Sequence, residues 1–205
     1  MLEKVLEKLL WSGHSSFIYE GEPLIYFDPF ALHRLRRADI ILVGHDHPRH
    51  CSPADIDKVR RAPTVILADE HSARHIAPPV ISMTPGQQET IGNVLIEAVP
   101  AYNLHTSFHQ QRKAYLGFIV TLEGLRLYHA GDTDFIPEMH DLKVDIALLD
   151  FRLHRHERRR GGPGGSGFAR SCSHPHALRH RLWHSGGRPA FQGAVRRQGK
   201  GRDLV

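Results

Sequence analysis

The stretch that most limits how this chain can fold runs from Asp39 to Asp55, "DIILVGHDHPRHCSPAD". An unbroken apolar run as short as "IILV" reads as a strand buried on both faces, because a half-exposed strand alternates apolar with polar residues. Ser52 is a suitable N-cap and Pro53 a suitable first helical residue, so a helix is predicted to begin there. Between the strand and the helix lie three histidines and an aspartate, at 45, 47, 50 and 46. The order strand, histidine loop, helix predicts a layered α/β or α+β architecture with its polar chemistry gathered at a strand's C-terminal end, where loops supply functional groups and strands hold them still.

The surrounding sequence repeats this grammar. "SFIYE" and "LIYFD", separated by "GEP", predict a hairpin; "TVILA", "NVLIEAVPA", "YLGFIVTLEG", "LRLYHAGDT" and "VDIALLD" predict further strands, and "DEHSARHI" a short helix. At 205 residues the chain suits one domain with a sizeable core. Its composition, however, breaks near residue 150. Residues 1–150 hold 14 Lys and Arg against 20 Asp and Glu, whereas residues 151–205 hold 13 against 2, together with ten of the 18 glycines. The expected organisation is therefore a domain over 1–150 and a basic Gly/Arg/His-rich tail over 151–205, whose composition is that of a disordered segment. Two cysteines, Cys51 and Cys172, read as free thiols. No apolar stretch approaches the ~20 residues of a membrane span, and "MLEKVLEKLL" lacks the plan of a signal peptide, so a cytoplasmic protein is expected.

Histidines at i and i+2 in a loop leaving a strand can turn toward one cation, and one at i+5 can reach its far side. Neutral imidazoles suit zinc, manganese and iron. Other segments join this one. "GHDHPRH" resembles the HxHxDH signature of the metallo-β-lactamase superfamily. "WSGHSSFIYE", "LIYFDPF", "VPAYN" and "YHAGDTDFIPEM" are similar to further segments of that superfamily, in order across residues 9–150. The similarity is strongest to its metal-dependent hydrolases that include ascorbate-phosphate lactonases and N-acylphosphatidylethanolamine-hydrolysing phospholipases. The resemblance implies an αββα sandwich, incomplete at its C-terminus, and a metal-activated water attacking an ester, lactone, amide or phosphodiester of a small-molecule substrate. It further implies His45 and His47 as ligands of a first metal, with His109 as the third and His105 as the alternative. His50 matches a ligand of a second metal and Asp132 the bridging carboxylate, these two being the catalytic candidates. His14 and Asp28 match positions beside the metals, although an aspartate before proline equally suits an ordinary turn. His71, His75 and His140 are assigned to surface positions, and His129 to the neighbourhood of the site without a ligand role.

Two departures stand out. Arg49 occupies the place of the signature's aspartate; a guanidinium stays protonated and cannot bind a cation, so one metal, or a weakened second, is the expectation. The tail also lacks the family's Ile-Pro-Met-His-Tyr-Gly segment. Yet "HPHALRH" (174–180) can be encoded so that reading one base later yields that segment, and "HERRRGG" (156–162) likewise yields Met-Ser-Ala-Ala-Glu-Glu. We therefore read residues from about 151 onward as a frameshifted translation, which sequencing of the encoding DNA would test. Such a tail would leave strand edges of the sandwich uncovered. Two other functions follow from the same residues: an inactive metal-binding relative, favoured by Arg49 and the tail, and a nucleic-acid binder acting through the basic tail. The acidic first 150 residues disfavour a basic nucleic-acid groove.

Overall fold

Alternation along the strands decides which layer each side chain enters. The computed structural model describes residues 1–149 and the two-residue strands at 182–183 and 196–197. One sheet contains β1 (Leu9–Gly13), β2 (Ser16–Glu20), β3 (Leu24–Phe27), β4 (Ile40–Val43), β5 (Val65–Asp69) and β6 (Ile81–Met83) in that spatial order. A second contains β7 (Gln88–Ile91), β8 (Val94–Pro100), β9 (Leu116–Leu122), β10 (Leu125–His129) and β11 (Ile146–Leu148), again as sequential neighbours. β2 and β3 form the predicted hairpin, with Phe17 opposite Phe27. From β3 to β6 the pairing is parallel, and from β7 to β10 antiparallel.

Odd-numbered Leu9, Trp11, Phe17, Tyr19, Ile25 and Phe27 enter the core between the sheets. There they join Ile96, Leu116, Phe118 and Val120 of the second sheet. Their neighbours Leu10, Ile18, Tyr26, Ile41 and Val43 point the other way and are covered by α2 (Pro53–Val59) through Ile56 and Val59. The "IILV" strand is thus buried on both faces, as its composition requires. Burying a side chain of Phe or Leu size contributes roughly 1.5–3 kcal/mol, so this two-sided burial fixes β4 firmly beneath the histidine loop. On the outer face of the second sheet, Ile119, Tyr128, Ala130, Val144 and Ala147 form a smaller cluster.

Ser52 caps α2, its hydroxyl accepting the Asp55 N–H at 3.3 Å, with Pro53 at the first turn. Three elements are not among those expected above: α1 (Leu2–Lys8), although Leu2, Val5, Leu6 and Leu9 recur at helical spacing, and β6 and β7, which carry no clear sequence signal. α1 is held by Val5, fully buried, and β7 is a polar edge strand, "QETI", that pairs with β8. The strand edges expected to stay uncovered are met over two residues each: β12 (Leu182–Trp183) pairs with β11, and β13 (Arg196–Arg197) with β1. The expectations of a disordered tail and of a frameshift otherwise fall outside the described residues. No helix among the described residues is long and apolar enough to cross a membrane.

Candidate metal centre

The site is built where β4 of one sheet meets β9 of the other. The Leu116 N–H donates to the Gly44 carbonyl at 2.9 Å. A Cβ at Gly44 would lie 2.5 Å from the Leu116 carbonyl oxygen, so only glycine permits this approach. His45 and His47 follow directly. The N–H groups of His50 and Cys51 both donate to the His47 carbonyl, at 2.9 and 2.8 Å, and this tight turn folds His50 back over His45. Their ring centroids are 3.8 Å apart.

Asp28, at the end of β3, is fully buried and is no ordinary turn residue. One carboxylate oxygen accepts the Gly44 N–H at 2.8 Å and the other lies 2.7 Å from His50 Nδ1. His109 reaches the same centre from the loop after β8, its Nε2 lying 3.0 Å from His47 Nδ1. Asp132, just beyond β10, sits between the two clusters, with Oδ1 3.5 Å from His50 Nε2 and Oδ2 3.9 Å from His109 Nε2. Two ligand-like groups result, His45, His47 and His109 and, beside them, Asp28, His45 and His50; within each group the potential donor atoms lie within 4.8 Å of one another.

The structure separates the two loop histidines. His109 is buried, whereas His105 is exposed and stays outside both groups. His14 stacks edge-on to His50 at 5.1 Å. His129 is buried nearby with Nε2 2.8 Å from the Ser15 carbonyl, a neighbour rather than a member of either group. Arg49 lies exposed in the turn at 48–50, and the structure does not bring it into the cluster. His14, Asp28 and His109 all adopt positive φ, 52°, 43° and 55°. Non-glycine residues pay for that conformation, and such strain gathers where function fixes a side chain.

The model of a family described as "Beta-lactamase superfamily domain" matches residues 8–150, most of the chain. The chain belongs to the β-lactamase superfamily. A UPF0173 metal-dependent hydrolase from Thermococcus kodakarensis is 33% identical, over 72% of this chain and 73% of the relative. One from Archaeoglobus fulgidus is 30% identical, over 69% and 70%. Among solved structures, a putative metal-dependent hydrolase from Parabacteroides distasonis is 36% identical with a TM-score of 0.63, covering 69% of this chain and 68% of its own. The match to the family ends where the composition of the sequence breaks.

Electrostatics divide the centre of this superfamily domain. Burial, together with the neighbouring His50 and His109, holds His45 well below the usual histidine value, so its imidazole is neutral. Its Nε2 is buried with no hydrogen-bond partner among the described residues. Burial likewise lowers His109 despite Asp132. Neutral imidazoles with available lone pairs are what a divalent cation requires, and leaving such a nitrogen buried and unsatisfied costs about 1–3 kcal/mol. The donor set therefore fits a metal. His50 is different: burial alone would lower it, but the carboxylates of Asp28 and Asp132 prevail and push it up to about 9. A ligand role for His50 requires it to give up that proton.

Sequence reasoning missed Tyr115. Its hydroxyl donates to Asp46 at 2.7 Å, and its ring packs 5.2 Å from His45. Asp46 is raised by burial, but the Tyr115 hydroxyl, His47 and His71 outweigh this and keep it below the usual aspartate value. Asp46 fills a variable position of the histidine motif and Tyr115 lies outside it. Only the approach of β9 to the histidine loop places them together.

Proposed function

We propose that this chain is a metal-dependent hydrolase that cleaves an ester, lactone, amide or phosphodiester of a small-molecule substrate. The observation that carries the proposal is the neutral, buried His45, whose Nε2 is unsatisfied among the described residues and which is ringed by His47, His109 and His50. His45, His47 and His109 would hold a first cation, zinc by donor chemistry or else manganese or iron. Asp132, with one oxygen toward each cluster, would bridge to a second cation at His50. A divalent cation here supplies Lewis acidity and lowers the pKa of water from ~16 toward ~7.

The chain's own groups do the rest. Asp28 fixes His50 through Nδ1, leaving Nε2 to face Asp132. The buried surroundings of His45 exclude bulk solvent. The relatives' names support metal-dependent hydrolysis and leave the substrate open.

The test is metal content per purified chain, followed by hydrolysis of generic ester and phosphodiester substrates, for the native protein, His45→Ala and Arg49→Asp. Metal bound and turnover lost in His45→Ala support the proposal. A chain that takes up no metal and hydrolyses nothing refutes it. Metal without turnover, with activity gained in Arg49→Asp, would instead identify an inactive metal-binding relative. Arg49 is the residue that favours that second possibility.

A further inference from the structure

Beside His47 and His109 opens a cavity of about 260 Å3. Burial divides its lining into floor and rim: Tyr115 is buried and its partner Asp46 half-buried, whereas Phe108 and Lys113 are exposed, with the half-buried Gln110 between them in sequence. We propose that this cavity binds the non-reacting part of the substrate, a flat apolar group ending in an oxyanion. The proposal rests on the hydrolase assignment above.

Charge gives the orientation. The Lys113 ammonium makes no hydrogen bond or ion pair with the described residues, although its backbone is fixed by a 2.8 Å bond from its N–H to the Gln110 carbonyl. Gln110 spends its side-chain oxygen on Arg112 Nε at 2.8 Å, and its amide N–H donors have no partner among the described residues. Donors and positive charge thus line the rim. The floor is the opposite, because the Asp46 side chain already accepts the Tyr115 hydroxyl at 2.7 Å. Among the cavity's own side chains, Asp46 disfavours an anion at the floor and Lys113 favours one at the rim. A single ammonium placed so is a point-charge receptor for carboxylate or phosphate.

Phe108 supplies the apolar contact. Its side chain is 70% exposed, which is unusual for a phenylalanine, and it stands at the cavity mouth. The loop behind it is braced: Asn103 Nδ2 and Thr106 Oγ1 donate to the Phe108 carbonyl at 3.3 and 3.0 Å, and the Asn103 N–H donates to the His109 carbonyl at 2.8 Å. A well-anchored aromatic facing solvent over a small cleft is a surface for a planar ligand.

Titration of metal-free and zinc-loaded protein with benzoate, phenyl phosphate and benzyl alcohol, followed by NMR, tests this. Both anions are expected to bind, and benzyl alcohol at least roughly tenfold more weakly. Lys113→Ala should weaken both anions by roughly tenfold while leaving benzyl alcohol and zinc content unchanged. Phe108→Ala should weaken benzoate but not acetate. Comparison of the two anions separates carboxylate from phosphate recognition. Anion binding indifferent to Lys113→Ala, benzyl alcohol bound as tightly as benzoate, or no binding of either anion would overturn the inference. Because Lys113-dependent binding is also read without metal, a protein that takes up no zinc would sink the hydrolase assignment while this result still stood or fell by itself.

Discussion

Thr133→Val separates hydrogen bonding from bulk at the joint between two site-bearing loops. Thr133 Oγ1 accepts the Tyr102 N–H at 3.0 Å, a buried bond, and lies 2.9 Å from both the Tyr102 and Asp134 carbonyl oxygens, to which its hydroxyl donates. Asp134 reinforces the link, donating its N–H to the Tyr102 carbonyl at 3.0 Å and accepting the Leu104 N–H at 2.9 Å. The segment after Asp132 is thereby laced to the segment that leads into His109. Valine has threonine's shape, so it opens no cavity, but it leaves the Tyr102 N–H buried without an acceptor. That loss costs about 1–3 kcal/mol. At about 2–4 °C per kcal/mol for a unit of this size, the melting temperature should fall by roughly 6 °C. Thr133→Ser keeps the oxygen and loses only a methyl, about 1 kcal/mol. The order of stability should therefore be Thr, then Ser, then Val, against the order of hydrophobicity. Urea and thermal unfolding of chelator-treated protein measure it, and competition with a chromophoric chelator measures zinc affinity. The groups that orient ligands typically govern affinity by about 10–100-fold, so Val should weaken zinc binding and Ser should not. Val as stable as the native protein, or Ser below Val, would refute the argument.

Gly44→Ala should destabilise the fold and weaken metal binding together, because the new Cβ meets a backbone carbonyl that cannot turn aside; denaturation midpoint and zinc stoichiometry check it. Asp55 is raised by burial, but Lys58, Ser52 and the N–H groups of Ala31 and Leu32 outweigh this and bring its carboxyl below the usual value. Its contribution is thus fully present above the unfolded value of about 3.9 and lost as pH falls through the lower folded value. The stability gap between native protein and Asp55→Asn should be constant at neutral pH and shrink below about pH 4 in urea titrations. Cys51 is buried, and burial pushes its thiol up to about 11. Iodoacetamide at pH 8 should spare it in the folded protein and label it in denaturant, as peptide mass mapping would report.

What the sequence makes legible follows from how local each signal is. β4 and β5 are readable because burial on both faces demands an unbroken apolar run, and Ser52-Pro53 announces α2 within four residues. β7 is invisible because an exposed edge strand needs no apolar pattern, only the partner β8 supplies. His45, His47 and His50 are close neighbours in one loop, so local spacing already brings them together, while the resemblance of other segments is what marks them as ligands. The choice between His105 and His109 turns on a backbone contact, the Asn103 N–H to the His109 carbonyl, and on a positive φ that spacing does not encode. For Asp28 beside Pro29, a place beside the metals and an ordinary turn stay equally open in the sequence until its contacts with Gly44 and His50 are seen. Tyr115 and Lys113 owe their places entirely to the meeting of the two sheets.

That meeting has a mechanical consequence. His45, His47, His50 and Asp28 ride on the first sheet, and His109 and Asp132 on the second. A cation shared between them is a rivet through both layers of the sandwich. Since it grips only the closed arrangement, zinc should raise resistance to unfolding by RT ln(1 + [Zn]/Kd), about 2.7 kcal/mol at a hundredfold excess over Kd. Prying the sheets apart would scatter the donors, so unfolding of the zinc-loaded sandwich should release the metal in the same event.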